Sequence, residues 1–600
     1  MTTPSLADRT DFADADQGFV GALEPGVVTA ADGREVWNND QYAFLQGECP
    51  PTANPSLWRQ GGLVAKQGLY EVTDGIYQVR GLDLSNMSLV EGERGVIVID
   101  PLISTEVAAA ALDLYRRHRG DRPVTAVIYT HSHADHFGGV GGVIDRDSGV
   151  PIIAPAGFLE HAVSENVYAG TAMSRRAEFM YGVGLPRSPE GQIGCGLGMA
   201  MSTGTVSLFP PTLDITRTGQ TETVDGVRIV FQITPGTEAP SEMNFTFPDH
   251  RALCMAENAT HNLHNLLTLR GAVVRNPHTW ANYLTEAIEL FAGHADVLFA
   301  SHHWPTFGRE RLTRFLSEQR DLYAYLHDQT LRMINQGYTG IEIAESIELP
   351  PALEQAWHAR GYYGSVSHNV KAIYQHYMGW YDGNPANLWK HPPVEGGKRY
   401  VEFMGGAGAV LAKARESFAA GDLRWVAEVV NHVVFADPGN REARELLADT
   451  YEKLGFGAEN GTWRNFYLRG AAELRGGAPP EMVDLSNPEM AMALAIDQVF
   501  DSIAVRVDGP KAWNERITID WHLTDLDKHI RTGLSNGVLV QTTPHDAEAD
   551  LSVTLTKPQL LKAIATGDLG GLTTTGDPGA FTRLAGLLAP VDPSFPIVTP

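Results

Sequence analysis

Four potential metal ligands lie within six consecutive positions, directly after a short apolar run. The run covers residues 124–130, and the sequence THSHADHFGG that follows from Thr130 supplies His131, His133, Asp135 and His136. Imidazole nitrogens combined with a carboxylate suit zinc and other first-row metals. The glycines allow the tight turns that a strand-to-loop corner needs. This segment therefore predicts a metal site rather than an exposed histidine loop, and it requires a fold that brings further ligands to the same place.

Three other predicted strand ends offer those further ligands. Glu238 follows the run that ends at residue 233, and Glu257 follows a short apolar run. His302 and His303 follow the last run, at 296–300. Taken singly, each could be a capping or solvated glutamate or a hydrogen-bonded core histidine. Because functional side chains of layered α/β folds gather where strands meet loops, we expect several of these residues to join the first four.

Apolar runs of strand length alternate with helical patterns over the first half of the chain. The runs are rich in β-branched residues and nearly continuous in apolarity, which predicts strands buried on both faces. The clearest strand candidates are 95–100, 124–130, 227–233 and 296–300, and the clearest helical ones are 105–119 and 280–292. Such interleaving predicts a layered α/β fold.

The pattern changes twice further along the chain, which predicts three domains: 1–310, 311–474 and 475–600. The first is the α/β domain with an N-terminal extension. The second is predicted to be helical, with helices at 312–336 and 401–420 and a helical hairpin at 421–455. A turn-rich linker at 475–480 opens the third domain. A helix at 488–504, strands at 517–523, 538–542 and 551–555, and a last helix from 556 predict a small α+β module there.

Composition excludes several classes of protein. The 600-residue chain has a formal net charge of −26, which repels phosphate backbones, so nucleic acid is not an expected partner. Its 3 cysteines form no CxxC pair and indicate neither a disulfide framework nor a cysteine zinc site. No apolar stretch reaches the ~20 residues of a membrane span. The N-terminus lacks a signal-peptide pattern, so we expect a cytoplasmic location.

The metal motif and several longer segments resemble a known family. THSHADHFGG is similar to the HxHxDH signature of the metallo-β-lactamase superfamily, whose fold is an αββα sandwich with a dinuclear metal site. TPGTEAPSEMNF, ALCMAENATHNLHNLLTLRG, FASHHWPTFG and RGYYGSVSHNVKAIYQHYMGW resemble its alkylsulfatase branch, from about residue 45 to the C-terminus. The resemblance implies an α/β catalytic sandwich, then an all-α dimerisation domain and a small α+β domain like sterol carrier proteins. Those three parts match the predicted domains.

The resemblance also implies the ligand set of two zinc ions. The first zinc would take His131, His133 and Glu238, and the second would take Asp135, His136 and His302. Glu257 would bridge the two ions. Glu242 competes with Glu238, and His303 competes with His302.

The implied activity is zinc-dependent hydrolysis of alkyl sulfates such as dodecyl sulfate to an alcohol and inorganic sulfate, by a hydroxide that the two zinc ions share. Arg270 would hold the anionic sulfate through its planar fork, with Arg275 as a second choice and Asn265 adding an amide hydrogen bond. The proton donor is sought among residues 261–265, where His264 and Asn265 are the principal candidates.

Apolar side chains should hold the alkyl chain, since each buried CH₂ contributes roughly 0.8 kcal/mol. The candidates, each also open to a core role, are Phe137, Met173, Met180, Tyr181, Met199 and Met201. The aromatic-rich stretch 362–389 is assigned to the interface of a homodimer, because aromatic residues are enriched at interface cores.

Three other functions are alternatives to alkyl sulfate hydrolysis. Another hydrolase of the superfamily would act on thioesters, lactams or phosphodiesters, and Glu238 and the Arg270 segment argue against it. A diiron redox protein would carry a glutamate where this chain has His133, and it would need a flavin domain. A lipid-binding protein built on the C-terminal module leaves the predicted ligand set unexplained.

Overall fold

Two facing β-sheets form the N-terminal half of the protein. The computed structural model describes residues 4–476, 488–545 and 547–600. The strands of this half are β1 (Phe19–Gly21), β2 (Val27–Thr29), β3 (Glu35–Asn38), β4 (Gly68–Thr73), β5 (Ile76–Arg80), β6 (Met87–Glu91), β7 (Val96–Ile99), β8 (Val124–Ile128), β9 (Ile152–Pro155), β10 (Leu213–Ile215), β11 (Thr221–Val224), β12 (Val227–Ile233), β13 (Met243–Phe247), β14 (Ala252–Cys254), β15 (Val297–Phe299) and β16 (Thr306–Phe307).

The first sheet has eight strands in the order β1-β4-β5-β6-β7-β8-β9-β10, and the second has six in the order β11 to β16. β7 to β10 run parallel, as do β14 and β15, while the remaining neighbours in these two sheets are antiparallel. The space between the sheets is filled by apolar side chains from both, among them Ile97, Ile128, Phe231, Phe245 and Phe299. The parallel strands thus carry their C-terminal ends to one edge of the sandwich.

Helices cover both outer faces of the sandwich. The helices of this half are α1 (Thr10–Asp16), α2 (Pro55–Val64), α3 (Thr105–Arg119), α4 (Phe158–Tyr168), α5 (Gly170–Tyr181) and α6 (Pro277–Ala287). Tyr115 of α3 packs edge-on against Tyr77 of the first sheet. Trp280 of α6 belongs to the same apolar cluster as Leu253 and Leu298 of the second sheet. The predicted αββα sandwich is therefore confirmed.

A helical region follows the sandwich, as predicted. Its helices are α7 (Arg309–Ile334), α8 (Gly340–Ser346), α9 (Pro351–Glu354), α10 (Val366–Met378), α11 (Pro385–Leu388), α12 (Pro393–Phe403), α13 (Ala407–Ala420), α14 (Leu423–Ala436), α15 (Arg441–Gly457) and α16 (Gly461–Leu474). The predicted hairpin is α14 and α15. The prediction of one continuous helix at 401–420 is wrong. Gly405 and Gly406 adopt φ values of +93° and +92° and separate α12 from α13.

The C-terminal module has a five-stranded sheet in the order β19-β18-β17-β20-β21. Its elements are α17 (Pro488–Ala493), α18 (Ile496–Ala504), α19 (Gly509–Ala512), β17 (Ile517–Leu523), β18 (Lys528–Ser535), β19 (Val538–Thr542), β20 (Leu551–Leu555), α20 (Lys557–Thr566), β21 (Thr573–Gly576) and α21 (Gly579–Gly586). Trp521 packs between Phe500 of α18 and Phe581 of α21. The predicted α+β module is confirmed, although its first helix is divided into α17 and α18.

Two further expectations differ from the structure or fall outside it. β12 was expected to be buried on both faces, but its burial alternates from Val227 to Phe231 and Arg228 is exposed, as in antiparallel sheets that turn one face toward solvent. Most of the predicted linker at 475–480 lies outside the described residues.

The chain forms two compact units. One unit comprises Met1–Phe158, Arg175–Val483 and Ser594–Pro600, and the other comprises Leu159–Ser174 and Asp484–Pro593. The sandwich and the helical region thus belong largely to one unit, while the division into three domains stays a prediction. Within the described ranges, no helix combines the length and the apolarity that a bilayer crossing requires.

Candidate metal centre

The predicted metal motif occupies the corner that follows β8. The chain leaves the strand at Ile128 and makes a 3₁₀ turn at Ala134–His136. Two glycines then pass so close to a neighbouring loop that no side chain fits: a Cβ on Gly138 would lie 2.3 Å from the carbonyl oxygen of Ile103, and one on Gly139 would lie 2.1 Å from that of Pro101. The corner therefore needs glycine at both positions.

Four predicted ligands form a first group: His131, His133, Glu238 and Glu257, each of which offers one ligand atom within 4.8 Å of the others. Glu238 Oε2 lies 3.3 Å from His131 Nε2 and 2.8 Å from His133 Nδ1. Glu257 Oε2 lies 3.3 Å from His131 Nε2. Two imidazoles and two carboxylates in this arrangement can hold one divalent metal ion.

Asp135, His136 and His302 form a second group beside the first. His136 Nε2 lies 3.2 Å from Asp135 Oδ2, and His302 Nε2 lies 3.7 Å from the same oxygen. Glu257 Oε2 is 3.2 Å from both of these imidazole nitrogens. A single carboxylate oxygen thus faces both groups, and the structure brings all seven predicted ligands together.

The atoms that face the centre are the ones that a bound metal would satisfy. Within the described part of the chain, Nε2 of His131, His136 and His302 is buried without a hydrogen-bond partner. Buried polar atoms are otherwise almost always paired. The residues therefore fit metal ions, and neutral imidazole with carboxylate oxygen is a donor set that suits zinc.

Hydrogen bonds behind the imidazoles fix which nitrogen faces the centre. His302 Nδ1 donates to the carbonyl oxygen of Leu84 over 3.0 Å. His136 Nδ1 donates to Asp100 Oδ2 over 2.9 Å. The Thr130 hydroxyl lies 2.9 Å from His131 Nδ1 and donates to the same Asp100 oxygen over 2.8 Å. These partners leave Nε2 of each ring free to bind a metal.

Asp100 is a functional residue that the sequence analysis missed. Its carboxylate also accepts from the Ser301 hydroxyl over 2.6 Å and from the Thr130 amide over 2.8 Å. The only signal in the sequence is that Asp100 ends the apolar run 95–100. Its contacts to positions about 30 and 200 residues away follow from the pairing of β7 with β8 and from the position of β15, which only the fold shows.

The buried carboxylates of the centre stay ionised. Burial opposes ionisation of Asp135, yet the His136 ring beside it lowers the pKa of that carboxyl to about 2. Burial also opposes ionisation of Glu238 and Glu257, but Arg275 beside the first and His302 beside the second hold both pKa values well below the usual range. The three carboxylates therefore carry negative charge near neutral pH, which favours divalent cations.

The two competing ligand choices occupy other positions. Glu242 is buried and belongs to neither ligand group. Its side-chain oxygens accept hydrogen bonds from backbone amides and a hydroxyl. His303 is also outside the groups: its Nε2 donates to the carbonyl oxygen of Gly196, and its Nδ1 accepts from the His261 amide.

His264 and Asn265, the candidate catalytic residues, are buried beside the first group. His264 Nε2 lies 2.9 Å from Glu257 Oε1, whereas Oε2 is the oxygen near His131, His136 and His302. His264 Nδ1 donates to the carbonyl oxygen of Asn265 over 2.9 Å. The His264 ring also contacts Tyr363, whose hydroxyl pairs with that of Tyr181 at 3.0 Å. Neither tyrosine was predicted at the centre in a catalytic role.

Arg275 has partners other than the predicted sulfate. Its guanidinium binds Glu238 Oε1 and the carbonyl and side-chain oxygens of Asn265. Because Glu238 Oε2 faces the histidines, Arg275 orients this glutamate from behind. Arg275 Nε also donates to the backbone carbonyl oxygen of Glu238, so the buried guanidinium holds both the backbone and the side chain of this residue.

Arg270 remains the candidate for binding an anion. It is half-buried and donates to the carbonyl oxygen of Gly271 over 3.3 Å. Burial raises the pKa of the Tyr181 hydroxyl, the Arg270 charge opposes that shift and Asp135 adds to it. Arg270 and a predicted metal ligand thus lie within electrostatic reach of the same hydroxyl.

The candidate alkyl-binding residues divide into two sets. Met180 and Tyr181 pack with Leu84, Leu197 and Tyr363 in an apolar cluster that Met201 joins. Phe137 is fully buried between Tyr129 and Phe158, and Met199 is fully buried as well, so both are core residues. Met173 lies in the other compact unit.

Comparison with known proteins extends these observations over the whole chain. Residues 80–302 match the family model of the metallo-beta-lactamase superfamily, 339–477 match alkyl sulfatase dimerisation, and 484–600 match alkyl sulfatase C-terminal. A linear primary-alkylsulfatase from Pseudomonas sp. is 49% identical over 99% of this chain and 90% of its own. This chain belongs to the alkylsulfatase family. The resemblance seen in its sequence is thereby confirmed.

Two other relatives match this alkylsulfatase-family chain over almost its whole length. An alkyl/aryl-sulfatase of Saccharomyces cerevisiae is 47% identical over 99% of this chain and 94% of its own. The solved structure of a stereoselective inverting sec-alkylsulfatase from Pseudomonas sp. is 44% identical, covers 99% of this chain and 96% of its own, and superimposes with a TM-score of 0.96. The whole architecture, with all three regions, is therefore that of an alkylsulfatase.

We expect Asp100→Asn to weaken metal binding roughly 10- to 100-fold, because an amide in place of Asp100 Oδ2 cannot accept from His136 and Thr130 at once. Metal retained after dialysis against a chelator measures the change. Asp225→Asn is the matched control: this carboxylate is also buried and accepts from Gly95 and Thr125, at the opposite end of β7 and β8. Equal metal retention in both variants would contradict the role of Asp100.

Proposed function

We propose that this member of the alkylsulfatase family hydrolyses alkyl sulfate esters to an alcohol and inorganic sulfate with two zinc ions per chain. Two ligand groups meet at one oxygen of Glu257, and this observation supports the proposal most directly. The chain also has an alkylsulfatase relative that matches it over 99% of its length. When bound, zinc ions supply Lewis acidity and lower the pKa of water toward ~7.

The residues around the centre divide the remaining tasks. Glu257 offers one oxygen to both ligand groups and the other to His264, so the imidazole is held where a proton can be taken up or released. Arg275 keeps Glu238 turned toward the histidines. Arg270 is the proposed sulfate ligand, because its planar guanidinium can engage two oxygens of the anion.

The apolar cluster around Tyr181 is the proposed site of the alkyl chain. It joins α5 to the loop that carries Leu197, and Tyr363 connects it to His264. Apolar side chains on one side and Arg270 on the other suit a molecule with an anionic head and a hydrocarbon tail.

We further propose a homodimer that forms through the helical region. The structure corrects one part of the predicted interface: Tyr362 and Tyr363 are buried within the chain. Trp380 and Trp389 are exposed instead, at 76% and 95%, beside a groove of about 600 Å³. Exposed tryptophans beside a groove are typical of an interface.

The function is tested by removing and restoring metal. We expect about two zinc ions per chain, loss of dodecyl sulfate hydrolysis on chelation, and recovery with zinc. A lactam and a phosphodiester assayed in parallel should be hydrolysed far more slowly. Full sulfatase activity in a metal-free chain, or a preference for the lactam or phosphodiester, would contradict the proposal.

Arg270→Ala should lower kcat/KM for dodecyl sulfate at least ~10-fold, because a charge-assisted contact contributes about 1.5–3 kcal/mol. Lysine at this position should restore only part of the rate, since it lacks the planar fork. Zinc content must stay at the parent level. Arg228→Ala removes an exposed arginine that pairs with Asp249 and serves as control. Parent-level kcat/KM in the Arg270 variant would place the sulfate elsewhere.

Replacing both Trp380 and Trp389 with alanine should raise the dissociation constant of the dimer at least ~10-fold, because tryptophans often dominate interface energies. Analytical ultracentrifugation over a range of concentrations measures this constant. Trp513→Ala, which removes a tryptophan that is 64% exposed in the C-terminal module, should leave it unchanged. A parent chain that sediments as a monomer at micromolar concentration would refute the homodimer.

A further inference from the structure

Glu242 is a fully buried glutamate that lies beside the metal centre without joining either ligand group. Its Oε2 accepts from the Thr237 hydroxyl over 2.8 Å and from the Glu238 and Ala239 amides over 3.1 and 3.2 Å. Its Oε1 accepts from the Glu257 amide over 3.2 Å. Both oxygens are thus occupied by donors, and two of those donors are the backbone amides of predicted ligands.

The backbone of Glu242 is tied to a third predicted ligand. Glu242 and His131 form an antiparallel bridge, and the next residue, Met243, donates its amide to the carbonyl oxygen of Thr130 over 3.0 Å. The carbonyl oxygen of Glu242 accepts from the Thr234 amide over 2.9 Å. Glu242 is therefore linked to the chain segments that carry His131, Glu238 and Glu257.

These three residues all belong to the first ligand group, which also contains His133. Among the hydrogen bonds of the described residues, none joins Glu242 to Asp135, His136 or His302 of the second group, and Glu257 is the member that both groups face. The two groups thus differ in their dependence on this one carboxylate.

We propose that Glu242 is a positioning residue that preforms the first metal position selectively. The inference rests on the proposed two-metal function. A carboxyl group accepts several hydrogen bonds at once, and each bond restrains the backbone segment that supplies its donor. Holding the backbone amides of Glu238 and Glu257 in place fixes the positions from which both side chains extend. Their carboxylate oxygens therefore converge before a metal binds.

Glu242→Gln tests the inference in the full-length chain. The amide keeps the size of the side chain but replaces one acceptor oxygen with an NH₂ group that cannot accept from the protein amides. Zinc is titrated into the metal-free protein in competition with a chromophoric chelator, and the two binding steps are resolved. His133→Ala and His302→Ala assign the steps to the first and the second group.

We expect Glu242→Gln to weaken zinc binding at the first position at least ~10-fold and at the second less than ~3-fold. At saturating zinc the KM for dodecyl sulfate should stay at the parent value, since Glu242 is not proposed to touch substrate. Glu106→Gln is the matched control: Glu106 accepts from the Thr205 amide and hydroxyl and is not a member of either ligand group. It should leave both steps unchanged.

A milder variant guards against a folding defect. Thr237→Val removes one donor to Glu242 and should weaken the first step in the same direction by a smaller factor. Equal weakening of both steps, or parent-level affinity in a folded Glu242→Gln chain, would overturn the inference while leaving the two-metal function intact. A parent chain with fewer than two zinc-binding steps would overturn the function and this inference with it.

Discussion

Three ionised carboxylates meet four imidazoles in a largely buried space, and the rest of the structure serves to hold them there. Such a concentration of negative charge is stable only with cations at its centre and donors around it. Glu238 and Glu257 show the same arrangement: each turns one oxygen toward the histidines and gives the other to a partner, Arg275 or His264. The donors outside the ligands therefore determine where the ligand atoms point.

The sandwich brings these groups together because strand ends are precise anchors. His131 follows β8, Glu257 follows β14 and His302 follows β15, so three ligands depend on the pairing of strands that are far apart in the sequence. Asp100 at the end of β7 adds a carboxylate that reaches His136 directly and His131 through Thr130. The glycine corner at 138–139 lets the motif turn without a clash.

The helical region contributes to the same centre as well as to the proposed dimer. Asn369 of α10 donates to the carbonyl oxygen of His264 over 2.9 Å, and Tyr363 contacts the His264 ring. Trp380 and Trp389 of the region lie on a separate groove. The aromatic-rich stretch therefore has two parts with different environments, one inside the chain and one on its surface, which composition alone does not separate.

Local signals determined much of what the sequence predicts about this protein. The metal motif, the layered α/β pattern, the helical region and the C-terminal α+β module are all readable because each depends on residues close together in the chain. Only the tertiary structure decided that Glu242 binds the amides of two predicted ligands, that Asp100 supports two of the histidines, and that Arg275 binds a glutamate. Those roles depend on hydrogen bonds between segments that strand pairing and loop packing bring together, and no local pattern in one sequence records such pairings.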